Sequence, residues 1–283
     1  MPRDYLVDLL DAYWFAPPVA LWRAIELRAA ARTTFRSPLL DLGCGDGLVG
    51  HALFGTQGSV YAGLDPWMAQ LERAAELGVY RHVHQGLGHA LPYRDRCFAT
   101  VFSNSVLEHI PDPDPVLREV SRVLRLGGQF VFTVPSDAFR RMLDGYWLRL
   151  SAGDPQGAES YANAVDEQLE HHHYHAPDEW EIILSRAGMV LLHAEYYMPL
   201  DATRLWDRVD KRFGGSRRLG RPMGRVWRAL ASPRFRSLGH QRLLRRLVVA
   251  HFGRRWRPYY LMELELGAKG GGLVIVAQRK ERT

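Results

Sequence analysis

From Pro38 to Val134 the chain alternates short apolar runs with helix-like segments, and that alternation leaves few folds open. Pro38 to Leu42, Ser59 to Leu64, Val79 to His84 and Cys97 to Ser103 read as strands, and Gln129 to Val134 as a buried central strand. Leu48 to Phe54 reads as a helix that opens after a glycine loop. Pro66 to Leu77 reads as a second, with Pro at its first position, where the missing N–H is not needed. Pro113 to Arg125 is a third, stopped by Gly127-Gly128. A strand, a crossover helix and a strand again leave consecutive strands parallel. The pattern therefore predicts an α/β chain with a doubly wound, mostly parallel sheet.

Outside that stretch the spacing predicts additions to the sheet. Tyr5 to Ala31 reads as two amphipathic helices broken at Pro17-Pro18. Beyond Pro135 the pattern loosens into a polar, Gly-containing stretch up to His175. Ala176-Pro177-Asp178-Glu179 then opens a helix that runs to Ala187, with Pro and acids in its first turn. Met189 to Tyr197 and Leu273 to Gln278 supply two more strands, making seven. The expected domains are an N-terminal helical cap (1–37), a sheet domain (38–199 with 266–283) and a basic helical insertion (200–265) before the last strand.

Charge marks that insertion. The chain of 283 residues carries a formal +6, but Asp201 to Pro258 holds sixteen Arg and one Lys against three Asp, a local +14. The rest sums to −8, so a mildly acidic body bears one strongly basic segment. Gln241 to Phe252 places Leu243, Leu244, Leu247 and Phe252 on or near one helical face, with Arg242, Arg245, Arg246 and His251 around the rest. Met223 to Leu230 is similar. The leading expectation is a cap whose apolar face covers the site while its arginines stay solvated. Contact with an anionic membrane through 200–258, or recognition of an acidic or amphiphilic acceptor, is the alternative. Nucleic acid comes last, because no recognisable RNA-binding module accompanies the charge. Apolar residues at 47% and charged residues at 24% are those of a soluble globular protein. With no signal-peptide pattern and no bilayer-length apolar run, the expected location is cytoplasmic. Two cysteines, Cys44 and Cys97, are too few for a disulfide framework.

The glycine loop carries the first chemical signal. Leu39-Leu40-Asp41-Leu42-Gly43-Cys44-Gly45-Asp46-Gly47 runs from strand to turn to helix, where glycine lets backbone approach a ligand. A dinucleotide fingerprint needs a third glycine at the sixth position, which is Leu48, and a phosphate-binding P-loop needs a Lys and a Ser or Thr that are absent. An acid two residues before the first glycine would repel a pyrophosphate. It suits a cofactor bearing an ammonium group, as S-adenosylmethionine does. Asp65, ending the second strand, stands where a carboxylate accepts ribose hydroxyls.

These segments, with Leu91-Pro92-Tyr93, Phe102-Ser103-Asn104-Ser105-Val106-Leu107-Glu108-His109-Ile110 and Leu124-Arg125-Leu126-Gly127-Gly128, resemble the class I S-adenosylmethionine-dependent methyltransferases of the small-molecule, type 11-like group. The resemblance runs from about Leu39 to Ser136 and resumes at the Pro177 helix. It implies a Rossmann-like seven-stranded domain, methyl transfer from S-adenosylmethionine, and S-adenosylhomocysteine as the product. It places Gly43, Cys44 and Gly45 along the methionine moiety beside Asp41, and Asp65 on the ribose. Pro66, Trp67 and Met68 would flank the adenine, and Ser103 and Asn104 would face the methionine end. One position departs: where the family commonly carries an acid after Gln85-Gly86 to bond the adenine amino group, this chain has Leu87. Adenine would then rest on backbone around Gly86 and Gly88, or on stacking.

Methyl transfer is a displacement that depends mainly on positioning, and a base is needed only when the nucleophile arrives protonated. Glu170-His171-His172-His173-Tyr174-His175 offers His173 and His171 as catalytic candidates over the acceptor. The same loop could equally be solvated and without chemical role. A metal site there is disfavoured, since adjacent histidines outside a helix seldom converge without a carboxylate. His109 reads as a structural residue at a strand end. The expected acceptor is an oxygen or carbon of a small molecule. The alternatives are a nucleic-acid methyltransferase, or a basic protein that keeps the fold and binds an anionic surface without catalysis.

Overall fold

The computed structural model describes residues 3–55, 58–213 and 241–281. By its internal packing the chain falls into two compact units. One comprises Ala29–Asp137, Glu170–Tyr196 and Gly272–Thr283, and the other Met1–Arg28, Ala138–Leu169 and Tyr197–Gly271.

The first unit is built on a seven-stranded sheet. Strands β1 (Leu39–Leu42), β2 (Val60–Asp65), β3 (Tyr80–Gln85), β4 (Phe98–Asn104), β5 (Leu124–Pro135), β6 (Met189–Tyr197) and β7 (Gly272–Arg279) lie in the order β3-β2-β1-β4-β5-β7-β6. The pairs among β1 to β5 are parallel, and β7 runs antiparallel to β5. This is the Rossmann-like, mostly parallel α/β fold that the alternation implied. The central strands are buried along almost their whole length, which explains their continuous apolar runs. On one face α5 (Asp114–Val123) buries Val116, Leu117, Val120 and Val123, a spacing that makes one helical stripe, and α9 (Pro177–Arg186) adds Trp180 and Leu184. The other face holds α3 (Leu48–Phe54) and α4 (Met68–Glu76), with Leu71, Ala74 and the ring triad Phe35, Phe54 and Phe102. The strand order reverses at β1 and β4, and in open α/β sheets ligands bind at the carboxyl ends of strands beside such a reversal.

Three local expectations change. Pro66 precedes the cap of α4, whose N-cap is Trp67, its N–H taken by Asp65 Oδ1. Gly127-Gly128 does not stop α5. The helix already ends at Val123, and the glycines sit inside β5 close to a register irregularity against β4. His109 lies in a short 3-10 turn (Leu107–His109) beyond β4, not at a strand end.

The second unit is helical: α1 (Tyr5–Ala12), α2 (Pro17–Ala30), α6 (Phe139–Met142), α7 (Asp144–Ser151), α8 (Pro155–Leu169), α10 (Leu200–Phe213) and α11 (Gln241–Leu261). The stretch read as loose and polar between Pro135 and His175 thus contains three helices. Their polar residues close networks: the buried Asp207 accepts from Gly145 N at 2.8 Å and Tyr161 Oη at 2.6 Å and pairs with Lys211 at 3.1 Å. Trp22 gathers Phe139, Tyr197 and Trp206 at 5.2–6.3 Å. The face of α11 is also corrected. It buries Val248, Trp256 and Tyr260, leaving Leu243 and Leu247 65% and 57% exposed. The aromatic rings bury more apolar area than two leucines, and Arg245 on Asp11 with Arg257 on Asp4 fix the helix's rotation. The expected helix at Met223–Leu230 lies outside the described residues.

Candidate functional site

Four neighbouring strands, β3, β2, β1 and β4, end at the same edge of the sheet, and the loops that follow them carry most of the residues singled out above. The glycine loop leaves β1 with Gly43, Gly45 and Gly47 all at positive φ. Gly43 N and Cys44 N both donate to Leu64 O, at 2.8 and 3.1 Å, so the loop is tied to the end of β2. A Cβ on Gly43 would stand 2.4 Å from Val106 Cγ2, whereas one on Gly45 would meet nothing within 4 Å. The loop is therefore packed on its inner side and open at Gly45, the geometry of a cradle against which a ligand can lie without a side chain in the way.

Asp65 braces that cradle. Its Oδ2 accepts from Gly45 N and its Oδ1 from Trp67 N, both at 2.9 Å, and the side chain is nearly buried. Each carboxylate oxygen retains a second lone pair for hydroxyl donors. Beside it, Gly86 N donates to Asp65 O at 3.1 Å and Gln85 Nε2 to Pro66 O at 3.0 Å, bringing the end of β3 to the start of α4. Trp67, Met68 and Leu87 all stand exposed there, Trp67 at 71%. Three large apolar side chains left in water at one edge are the walls expected of an aromatic ligand's slot. Gly88 is enclosed by Val116, where a Cβ would stand 3.1 Å from its methyl.

Other candidates point inward. Asp41 is buried and accepts a 2.6 Å hydrogen bond from Tyr80 Oη. Burial pushes its carboxyl up to about 7, the Tyr80 hydroxyl opposing this and the Asp65 charge adding to it. Cys44 turns its thiol inward, to where a Cβ on Gly63 would stand 2.9 Å away, and burial first, then Asp41 and Asp65, holds the thiol protonated. Ser103 Oγ donates to Leu42 O at 2.9 Å and Asn104 Nδ2 to Thr133 Oγ1 at 2.6 Å. These four side chains fix the strand ends, so a ligand would meet their backbone first.

The histidine loop is stitched to the turn that follows β4. His172 N donates to Glu108 O at 2.8 Å, and His173 Nε2 lies 3.1 Å from Ile110 O. A carbonyl only accepts, so Nε2 carries the proton and Nδ1 the lone pair; that nitrogen is enclosed and has no hydrogen-bond partner among the described residues. Burial holds His173 below the usual histidine range and therefore neutral near pH 7. His171, half-buried, has its Nδ1 3.0 Å from Tyr174 Oη and its ring 5.0 Å from that of His109. Sequence spacing did not disclose Tyr80, Val106, Glu108 or Tyr174. Tyr80, Val106 and Glu108 meet partners distant in the chain, Tyr80 lying 39 residues from Asp41, whereas Tyr174 meets His171 only three residues away.

Residues 40–132 match the family model of a methyltransferase domain. The sarcosine/dimethylglycine N-methyltransferase of Halorhodospira halochloris is 36% identical over 112 residues, covering 36% of this chain and 39% of that protein. A ubiquinone biosynthesis O-methyltransferase of Pseudomonas putida is 30% identical over 103 residues, covering 34% and 43%. The chain thus spans about two fifths of the length of these curated relatives. A solved S-adenosylmethionine-dependent methyltransferase from Mesorhizobium loti superposes with a TM-score of 0.53 at 18% identity, over 92% of this chain and all of that one. At that identity the likeness shows the fold, which is the class I methyltransferase fold.

Proposed function

We propose, from residues 40–132 being a methyltransferase domain, that this chain is an S-adenosylmethionine-dependent methyltransferase acting on an oxygen or carbon of a small molecule. The observation that carries the reading is the open cradle at Gly45 braced by Asp65. S-adenosylmethionine supplies an electrophilic methyl on a sulfonium, and the protein's task is to bind and orient. Asp65 holds the ribose with the lone pairs its backbone donors leave. Gly43, Cys44 and Gly45 present backbone to the methionine moiety, Trp67 and Met68 flank the adenine, and Leu87 packs where relatives of this type place an acid. Asp41, ionised when an ammonium group lies near, balances the cofactor's charge through the loop. S-adenosylhomocysteine leaves as the product.

For the acceptor, the loop from Glu170 to His175 supplies the chemistry. His173 is neutral but enclosed, so it anchors the loop on Ile110. His171 is the ring of the pair able to face an acceptor proton. The acceptor is acidic or amphiphilic on this reading. In the helical unit, α11 exposes Leu243 and Leu247 among Arg242, Arg246, Arg254 and Arg255. The same surface suits peripheral contact with an anionic membrane. Calorimetric titration of the full chain with S-adenosylmethionine, then with S-adenosylhomocysteine, tests the core of the proposal. Saturable one-to-one binding is expected for both, and absence of binding to either sinks it.

A further inference from the structure

Glu108, His109 and His171 come together at the loop edge of the sheet unit. One carboxylate oxygen and one nitrogen of each ring all lie within 4.8 Å of one another. Glu108 Oε1 and His109 Nε2 are 4.0 Å apart, and Glu108 is almost fully buried. We propose that these three side chains form a binding site for a divalent transition-metal ion of the zinc class, with its remaining positions open.

The chemistry of the donors fits that class. Two imidazoles and one carboxylate make the three-ligand set of open, catalytic zinc sites. The orientation of the rings fits as well. His109 Nδ1 lies 3.2 Å from Glu170 O, a carbonyl that can only accept, so Nδ1 carries the proton and the Nε2 lone pair faces Glu108. Glu170 is itself at φ 58°, a left-handed conformation unusual for a side chain of its kind, and it is this residue whose carbonyl meets the ring. His171 Nδ1 lies 3.0 Å from Tyr174 Oη; a hydroxyl can accept the Nδ1 proton, and in that tautomer Nε2 carries the lone pair that a metal takes. A ligand histidine whose other nitrogen is held by a carbonyl or hydroxyl is the usual outer arrangement of a metal site. Bound at 2.0–2.1 Å in tetrahedral array, ligand atoms would sit about 3.3 Å apart. Each therefore moves by ~1 Å or less on metal uptake, within the reach of side-chain rotation. Sequence reasoning disfavoured a metal because adjacent histidines outside a helix seldom converge without a carboxylate partner. The fold supplies one from some sixty residues upstream, and the bond from His172 N to Glu108 O keeps the two segments in register.

The site lies next to the cradle: Val106, two residues before Glu108, is the side chain that seals Gly43. Resting on the methyl-transfer reading, the ion would act as a Lewis acid on an acceptor hydroxyl. With His171 bound to the ion that ring no longer takes the acceptor's proton: the hydroxyl gives it up to solvent, the oxygen forms a bond to the methyl carbon, and the carbon–sulfur bond breaks with its electron pair returning to sulfur.

The test uses the full chain, purified without a histidine tag and stripped by chelator, titrated with Co²⁺ alone. One equivalent is expected to give visible ligand-field bands, which Zn²⁺ then abolishes. His109→Ala and His171→Ala, which leave the buried Glu108 in place, should each weaken Co²⁺ binding by more than about 100-fold, and Tyr174→Phe by roughly 10-fold. His82→Ala, on β3, is the control and should bind as wild type. Absence of ligand-field bands, or unchanged binding in both ligand variants, overturns the metal site. S-adenosylmethionine affinity, measured in the same samples, is expected to persist without metal. Its loss in wild type would instead count against the methyltransferase reading, so the two failures are distinguishable.

Discussion

Individual residues divide between those that face open space and those that hold the edge in shape, and each kind makes its own prediction. Asp65→Ala removes the acceptor of two backbone N–H groups and, with it, the proposed ribose contact. S-adenosylmethionine affinity should fall by about 2–3 kcal/mol, the scale of a hydrogen bond to a charged group, as read by calorimetry. Unchanged affinity would reject the ribose assignment. Gly45→Val should abolish cofactor binding by filling the open space, and its positive φ adds strain for a β-branched side chain. A folded variant that binds normally would contradict the cradle. Asp41 differs, since its partner is Tyr80. Its folded pKa is raised, so the carboxyl contributes stability fully below the unfolded value of 3.8 and progressively less as pH rises to about 7. Over that window the native state holds more protons than the unfolded one. Stability of the ligand-free protein should fall by up to about 1.4 kcal/mol per pH unit from this group, and Asp41→Asn should remove that slope. Denaturant melts between pH 4 and 7 decide it, and an unaltered slope in the variant rules out Asp41 as the source.

Elements were legible wherever one face of a periodic segment had a single destination. The strands of the sheet emerged because burial on both sides demands uninterrupted apolar runs, and α5 because its stripe is narrow and regular. Helices α6 to α8 were hidden for the opposite reason. Each buries few residues, one large ring apiece in α6 and α7 (Phe139, Tyr146) and small ones such as Ala158 and Ala162 in α8, and much of what holds them is hydrogen bonding to Asp207 and Glu159. For α11 the helix was legible and its face was not, because leucines compete with Trp256 and Tyr260 for the interior and the winners lie later in the chain. The outcome is an exposed stripe of Leu243, Leu247 and Ala250, flanked by Arg242, Arg246 and Arg254. An apolar stripe flanked by arginines is suited to an anionic membrane surface, and the peripheral contact proposed above is tested on it. Sedimentation with liposomes should show association with anionic vesicles that weakens as salt shortens the screening length to about 8 Å at physiological strength. Leu243→Ser with Leu247→Ser should weaken it at all salt concentrations, whereas Arg242→Gln with Arg246→Gln should also flatten the salt dependence. If neither pair alters pelleting, α11 is not the contact.

At the scale of the molecule, charge and chemistry are kept apart. The sheet unit carries a formal −4 and the helical unit +10, which together give the chain's +6. The cradle, Asp65 and the histidine loop all belong to the acidic unit, so its surface field favours a cofactor bearing a cationic sulfonium and an ammonium group. This division was half legible: the basic segment is plain in the sequence, but the membership of residues 1–28 and 138–169 in the same unit depends on packing that no local pattern encodes. The glycine loop stands out in the sequence because adjacent residues build it, whereas the Glu108–His109–His171 group does not, being assembled across sixty residues. That difference predicts where the cofactor's stabilisation appears. A ligand that binds only the native state stabilises it by about 2.7 kcal/mol at a hundredfold excess over Kd. Contacts confined to strand-end loops should slow amide exchange there first, at 43–47, 65–68 and 86–88. Exchange mass spectrometry of the full chain with and without S-adenosylmethionine measures it segment by segment. Protection at those three loops is the expected result. Protection elsewhere in the chain but absent from 43–47 would mean that the cofactor does not lie on the glycine loop, whatever its affinity.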